Sequence, residues 1–425
     1  MKTGGTEVVI TGVGPVTSIG VGAEALWAAM LQGRQAAAPR PLAVDLARTE
    51  QLTVASMPDA SAVLGLEPHV RYLAEQDCNG YRDLAYALLA IELAIKDSGL
   101  EYDRSKNSIG AVQAFEAPGV EDTVSRLFGM FSTPPPTDRP PALYDALAGH
   151  FYNMQPFFYV HLVGKAFGFH GVSTSIHNAC TSGAYAIELA AERIRSGQAE
   201  AMVVLGGEAF ETGVRLEWFR RLDLYAKDGC MKPFDAAPSG FFVGEGAAAM
   251  VLESAESAAR RGATPYARYL GGAFGQQSWK QVIPDVRAAR LADVITRAMS
   301  VAGVSPDKID LIVPHGAATQ LSDGYEASCL ATALHGQRDH AVATAFKPYF
   351  GHMLATSGLI DTAATLLSMK HQTVPATLHT SPENVRLPVP LATSVLHRPI
   401  DTVLKLSTGF TGHDAALVFG AAQPP

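Results

Sequence analysis

Val172-Ser173-Thr174-Ser175-Ile176, running into His177-Asn178-Ala179-Cys180-Thr181-Ser182-Gly183-Ala184, is the stretch that decides the fold. Its first five residues read as a strand, and Ala186, Ile187, Ala190, Ala191 and Ile194 then recur at helical spacing. A strand that turns directly into a helix is the building unit of an α/β protein. Cys180 stands in that turn. A thiol in the first turn of a helix lies beside unpaired backbone N–H groups and the positive end of the macrodipole, so the placement predicts a lowered thiol pKa. The same N–H groups predict an oxyanion site for a thioester carbonyl attacked by this sulfur.

Upstream, Glu7-Val8-Val9-Ile10-Thr11-Gly12 reads as a buried strand, Gly12 to Thr17 as a tight turn after it, and 24–31 as a helix. The turn is not a dinucleotide fingerprint: the third glycine is missing, Pro15 stiffens it, and no acidic residue ends a second strand about 20 residues on. Periodicity predicts a helix over 82–98 and a strand near 108–114. Residues 115–150, with Pro134-Pro135-Pro136 and Pro140-Pro141, read as an inserted surface or lid-like segment. Downstream come a strand at 201–205, a glycine-rich strand around 241–253 and a boundary near residue 255. The order then recurs: strand 264–274, helix 285–302, strand 309–313, helix 323–334, strand 341–345, helix 356–370, and strands near 402–408 and 414–419. Two α/β halves are expected, 1–255 carrying the cysteine and 256–425 carrying two histidines.

Composition narrows the function. Hydrophobic residues make up 48% of the 425 and charged ones 17%, which excludes a disordered chain. A formal charge of -8 argues against a nucleic-acid partner. The N-terminal residues lack a signal-peptide pattern, and runs such as Ala201 to Leu205 are too short to span a membrane, so a cytoplasmic protein is expected. The four cysteines, 78, 180, 230 and 329, form neither a disulfide framework nor a CxxC metal site. Cys78, Cys230 and Cys329 read as small buried hydrophobes.

His315, in Val313-Pro314-His315-Gly316, and His352, in Gly351-His352, each stand at a strand-to-helix turn, as Cys180 does. Sheets of this class put their functional groups at such turns. With Cys, His and His in this order, the chain resembles the decarboxylating β-ketoacyl synthases of type II fatty-acid and polyketide pathways. The resemblance extends over nearly the full length, through Val9-Ile10-Thr11-Gly12-Val13-Gly14, Pro233-Phe234-Asp235, Gly240-Phe241, Gly244-Glu245-Gly246, Lys347 to His352, Pro375 to His379, and Gly409-Phe410-Thr411-Gly412.

The resemblance implies a thiolase-like fold of two similar halves in α-β-α-β-α layers, and an acyltransferase activity. Cys180 would take the acyl chain from the phosphopantetheine arm of an acyl carrier protein, with the N–H groups of Cys180 and Phe410 holding the thioester oxygen. His315 and His352 would hold the malonyl carbonyl and stabilise the enolate left by decarboxylation. Lys347 would order the site with Glu326 as its acidic partner, Asp361 stands where the family usually has a glutamate, and Phe410 would gate the site. No cofactor or metal is implied, and family members are homodimers, here pairing through 172–176; a heterodimer with a second ketosynthase-like subunit is the variant.

Three stretches depart from the family wording. Ala317 replaces the first of two threonines that hydrogen-bond the arm, leaving Thr319. Pro348-Tyr349-Phe350 replaces small polar residues and is expected to narrow the floor of the site. Thr411-Gly412-His413-Asp414 replaces a Gly-Gly-Thr-Asn loop behind Phe410. A specialised ketosynthase fits these changes. Two alternatives are a non-decarboxylating acyltransferase and a non-catalytic, chain-length-factor-like subunit, the latter disfavoured by the thiol. Arg215, Arg220 and Arg221 with Lys227 form a local basic cluster that reads either as a surface steering an acidic carrier protein or as a solvated helix face.

Overall fold

Val-, Ala- and Leu-rich runs buried on both faces build an eleven-stranded mixed sheet in the computed structural model, which describes residues 6–132, 150–226, 228–287, 289–336 and 340–422. Ten strands form its path: β1 (Val8–Thr17), β2 (Gly110–Gln113), β3 (Thr174–Ser175), β4 (Ala201–Glu208), β5 (Gly246–Ser254), β6 (Ala267–Gln276), β7 (Leu311–Val313), β8 (Val342–Ala343), β9 (Thr402–Thr408) and β10 (His413–Ala421). Their order is β8-β7-β9-β10-β6-β1-β5-β4-β2-β3, and Gly20–Val21 adds a short arm to β1. Outward from the antiparallel β1–β6 pair, the order β1-β5-β4-β2-β3 on one side matches β6-β10-β9-β7-β8 on the other. The outer three strands of each side are mutually parallel.

Six helices matter here: α1 (Ala23–Leu31), α2 (Arg82–Ser98), α3 (Ser182–Arg195), α4 (Arg290–Ala302), α5 (Gln320–Ala333) and α6 (Ser357–His371). Helix α2 covers the outer face of β1, β5 and β4, and α4, packed on α5, covers β6 and β10. Helices α3 and α6 touch each other and strands of both sides, so they fill the middle layer. The result is an α/β fold of five layers, and the largest apolar cluster lies in its centre, where Ile187, Leu359, Leu366 and Phe419 are each fully buried.

Three expectations need correction. β1 does not turn at Gly12 but continues to Thr17. Its glycines serve close packing instead: a Cβ at Gly12 would stand 2.2 Å from the Ala94 carbonyl oxygen, and one at Gly14 1.9 Å from that of Ala90, both on α2. Strand pairing at the expected 172–176 is limited to Thr174–Ser175. Within 115–150, Val120–Ser132 is a helix, and the proline-rich part at 133–149 lies outside the described residues.

Candidate active site

Parallel strands bring their C-terminal ends to one edge, and here the two parallel triplets bring theirs toward a common point. β3 leads to Cys180, β7 to His315, β8 to Lys347 and His352, and β9 to Phe410. Cys180 sits in a 3-10 turn, Ala179–Thr181, that runs straight into α3. Ala179 adopts φ 48°, a strained value for a residue with a Cβ. The turn is held by the Thr181 hydroxyl donating to the Asn178 carbonyl at 2.6 Å and the Ser182 hydroxyl donating to that of Ala179 at 2.7 Å.

The sulfur and a ring nitrogen of each histidine lie within 4.8 Å of one another, and all three residues are buried. The two rings are 5.1 Å apart at 75°. A thiol with two imidazoles also matches the ligand set of a soft metal. Burial, aided by the Lys347 charge, holds both imidazoles well below their ordinary pKa, so they are neutral at pH 7. His352 Nδ1 is 2.8 Å from the Ser357 hydroxyl; with that hydroxyl donating, the ring proton is on Nε2.

Around the histidines the charges are paired. The His315 and Gly316 N–H groups donate to the two Glu326 oxygens at 2.7 and 2.8 Å. Lys347 Nζ donates to the His315 carbonyl at 2.6 Å and to Asp361 at 2.8 Å. The expected Lys347–Glu326 pair is therefore replaced: Glu326 clamps the backbone under His315, and Asp361 is the partner of Lys347. Sequence reasoning missed Lys405, fully buried in β9, whose Nζ stands 3.8 Å from the same Asp361 oxygen and donates to the Leu406 carbonyl at 2.9 Å. Burial pushes Lys405 down to about 8 and Glu326 up to about 7.

The thiol corrects a second expectation. Burial pushes its pKa up, and Glu116 and Glu208 push in the same direction, against the pull of Lys347. The resting group is a thiol, and its proton has to leave as the sulfur attacks. The Cys180 and Phe410 N–H groups stand at the starts of two short 3-10 turns, and a Cβ at Gly409 would stand 3.3 Å from the Cys180 nitrogen. The Gly409–Phe410 backbone thus lies against the Cys180 turn.

A cavity of about 230 Å³ is lined by Cys180, His315 and His352 together with Phe410, Ala317 and Thr319, and reaches the exposed Ile283 and Leu321. Phe410 packs against Trp218 and Phe219, with ring centroids at 5.8 and 6.1 Å. Behind it Thr411, at φ 62°, donates its N–H to the Gln281 carbonyl. Tyr349 and Phe350 do not form the floor; both are fully buried in the central core, with the Tyr349 hydroxyl donating to the Ala376 carbonyl at 2.7 Å. The basic cluster is also different from expectation. Arg215 is drawn inward onto Glu121 and Glu208, Arg220 and Arg221 both pair with Glu217, and Lys227 lies outside the described residues.

Residues 5–258 match the model of the beta-ketoacyl synthase N-terminal domain and residues 266–381 that of its C-terminal domain. The chain belongs to the β-ketoacyl synthase family. This synthase is 26% identical over 418 residues to the 3-oxoacyl-(acyl-carrier-protein) synthase 2 of Coxiella burnetii, covering 97% of this chain and 98% of that one. Its fold matches the ishigamide ketosynthase/chain length factor with a TM-score of 0.84 at 24% identity, over 99% of this chain and 100% of that one. It matches a type II polyketide ketosynthase solved with its acyl carrier protein and bound to the hexaketide with a TM-score of 0.80 at 22% identity, over the same shares. The fold is thiolase-like, and β-ketoacyl synthases are acyltransferases. No helix among the described residues is long and apolar enough to cross a membrane.

Proposed function

We propose that the chain performs decarboxylative Claisen condensation through Cys180, His315 and His352. The observation that carries this reading is the meeting of one thiol and two neutral imidazoles within 4.8 Å in the wall of one cavity. In the first half-reaction the Cys180 sulfur adds to an acyl thioester, its proton passes to a neighbouring imidazole, and the carrier thiol leaves with that proton. The N–H groups of Cys180 and Phe410 hold the oxyanion. In the second, a malonyl thioester occupies the cavity beside Thr319. Carbon dioxide leaves, the electron pair stays on the enolate, and N–H donors of His315 and His352 hold its oxygen. The carbanion attacks the acyl carbon, the C–S bond breaks, and the Cys180 thiolate is released to take up a proton.

Neutral rings suit this role, since each then carries one N–H to donate without a permanent charge. Lys347 is a positioning residue: it holds the His315 backbone and Asp361 together, while Glu326 fixes the same turn from the other side. Substrates would arrive on the phosphopantetheine arm of an acyl carrier protein, so no further cofactor enters this reading. A cytoplasmic homodimer fits it too, because β3 is the edge of the sheet, paired only with β2 among the described residues. Incubation of acyl-loaded protein with malonyl carrier protein tests the reaction: carbon dioxide and a product two carbons longer are expected together. Acyl transfer without carbon dioxide would instead favour a non-decarboxylating acyltransferase, the reading that the loss of a threonine at Ala317 in the cavity wall would suit.

A further inference from the structure

The run Val403-Leu404-Lys405-Leu406 of β9 is apolar but for one residue. In the sheet Lys405 stands opposite Val313 of β7 on one side and Leu417 of β10 on the other, and it is fully buried. Val313 is two residues before His315, and Lys405 itself is five residues before Phe410. Its Nζ reaches α6, 3.8 Å from Asp361 Oδ2, and donates to the Leu406 carbonyl at 2.9 Å and to the Ser407 hydroxyl. Asp361 does not need this cation. The same Oδ2 already accepts from Lys347 at 2.8 Å, and Oδ1 has no hydrogen-bond partner among the described residues. Stability does not call for it either, because drying a charge is costly and an apolar side chain could pack in its place. Lys405 is a surplus cation, set between the strand that delivers His315 and the helix that carries Asp361.

The second half-reaction has a use for that charge. Loss of carbon dioxide leaves a full negative charge on the enolate, and two neutral imidazoles answer it with N–H groups but with no charge of their own. A fixed cation behind them, in a site closed to water, is worth far more than it would be in solvent. Asp361 offsets one of the two lysines, and Glu326 gives its oxygens to the His315 and Gly316 N–H groups. Resting on the enolate-holding role of His315 and His352, we infer that Lys405 is a positioning residue of the condensation step: through Asp361 it steadies the Lys347–His315 arrangement and sets a positive field behind both imidazoles. Acyl uptake forms no enolate and does not draw on it. The charged and titratable groups that face Lys405 are Asp361 of α6, Lys347 from the turn after β8, Glu326 of α5 and the two histidines. With Lys405 brought down to about 8 by burial, the ammonium is charged at pH 7 and neutralised as the pH rises past that value.

The test uses the full chain, acylated on Cys180 beforehand and mixed with malonyl carrier protein, with carbon dioxide release followed from about pH 7 to 9.5 and acyl loading followed separately by intact mass. In the wild type, condensation is expected to fall as the pH rises through about 8, and loading is not. Lys405→Met should slow condensation at pH 7 by about 10–100-fold, remove the alkaline fall and leave loading within about twofold. Lys405→Arg stays charged throughout and should condense without the fall. Asp323→Asn removes the other buried group brought to about 8 and should keep the fall. If Lys405→Met does not fold, the wild-type profile and Lys405→Arg decide. A flat wild-type profile, a fall that survives in Lys405→Met or Lys405→Arg, or an equal loss of loading and condensation in folded Lys405→Met overturns the inference while leaving the condensation reading standing. Failure of the acylated wild type to release carbon dioxide at any pH removes that reading, and the inference with it.

Discussion

The two walls that meet at Cys180 share a topology and differ in their charge. On the histidine wall, Lys347 and Lys405 share Asp361, and Glu326 accepts two backbone N–H groups, so two cations face two anions. On the cysteine wall, the buried Arg215 guanidinium pairs with Glu121 and Glu208, with the further acids Asp83 and Glu116 within electrostatic reach. Burial, with the charges of Lys347 and Lys405 behind it, keeps the imidazoles neutral, as donors to an enolate require. Burial first, and then the acids Glu116 and Glu208, raise the thiol, so this wall does not prepare a resting thiolate. The lesson is that one strand-end framework, used twice, supplies a rigid donor site on one side and an electrostatically unsettled acceptor on the other.

Breaking the balanced wall should have the largest effect. Lys347→Met leaves Asp361 with only Lys405, at 3.8 Å, and the His315 carbonyl without its donor. Loss of one partner of a buried pair costs about 3–5 kcal/mol, measurable by urea denaturation, and a loss near zero would mean that the wall is not held by this pair. Next, His315→Ala or His352→Ala should slow condensation by about 10²–10³-fold, the usual effect of removing one oxyanion donor, while acyl uptake on Cys180 falls less, because the remaining imidazole can still take the thiol proton. Carbon dioxide release and adduct mass, followed separately, check this; equal loss of both steps would erase the division of labour between the walls.

The smallest effect sharpens the comparison from within the balanced wall, where Asp323 is the exception. Its Oδ2 accepts the Phe234 N–H at 2.7 Å, its Oδ1 has no partner among the described residues, and burial pushes it up to about 8. Folded, this carboxyl keeps its proton to higher pH than the unfolded chain does, so raising the pH from 5 to 8 favours unfolding. Asp323→Asn removes that term. The variant's melting temperature should therefore gain on the wild type by roughly a few degrees over this range, and a constant gap would contradict the assignment.

Much of this was legible before the coordinates. Cys180, His315 and His352 announce themselves because each interrupts a strand-to-helix turn, and turns punctuate sequence sharply. What stayed hidden depends on elements that meet only in three dimensions. Asp361 reaches Lys347 because α6 passes beneath the turn, which no local spacing encodes. Gly12 and Gly14 read as a turn, yet their role is the approach of α2. Lys405 did leave a signal, a lone charge in the apolar run Val403-Leu404-Lys405-Leu406. Glu116 and Glu208 left a similar one, acids at the ends of buried strands, and a charge in such a place needs either a partner or a function.

The central claim is that Cys180 carries the acyl group and surrenders it to a decarboxylated malonyl unit. A pulse of acyl thioester followed by a chase of malonyl carrier protein, read by mass on the Cys180 peptide, tests it directly. The account predicts one acyl group on Cys180 after the pulse, its loss on the chase with one carbon dioxide per group, and no label in Cys180→Ala. An acyl group found on another residue, or one that survives the chase while carbon dioxide is released, would contradict it.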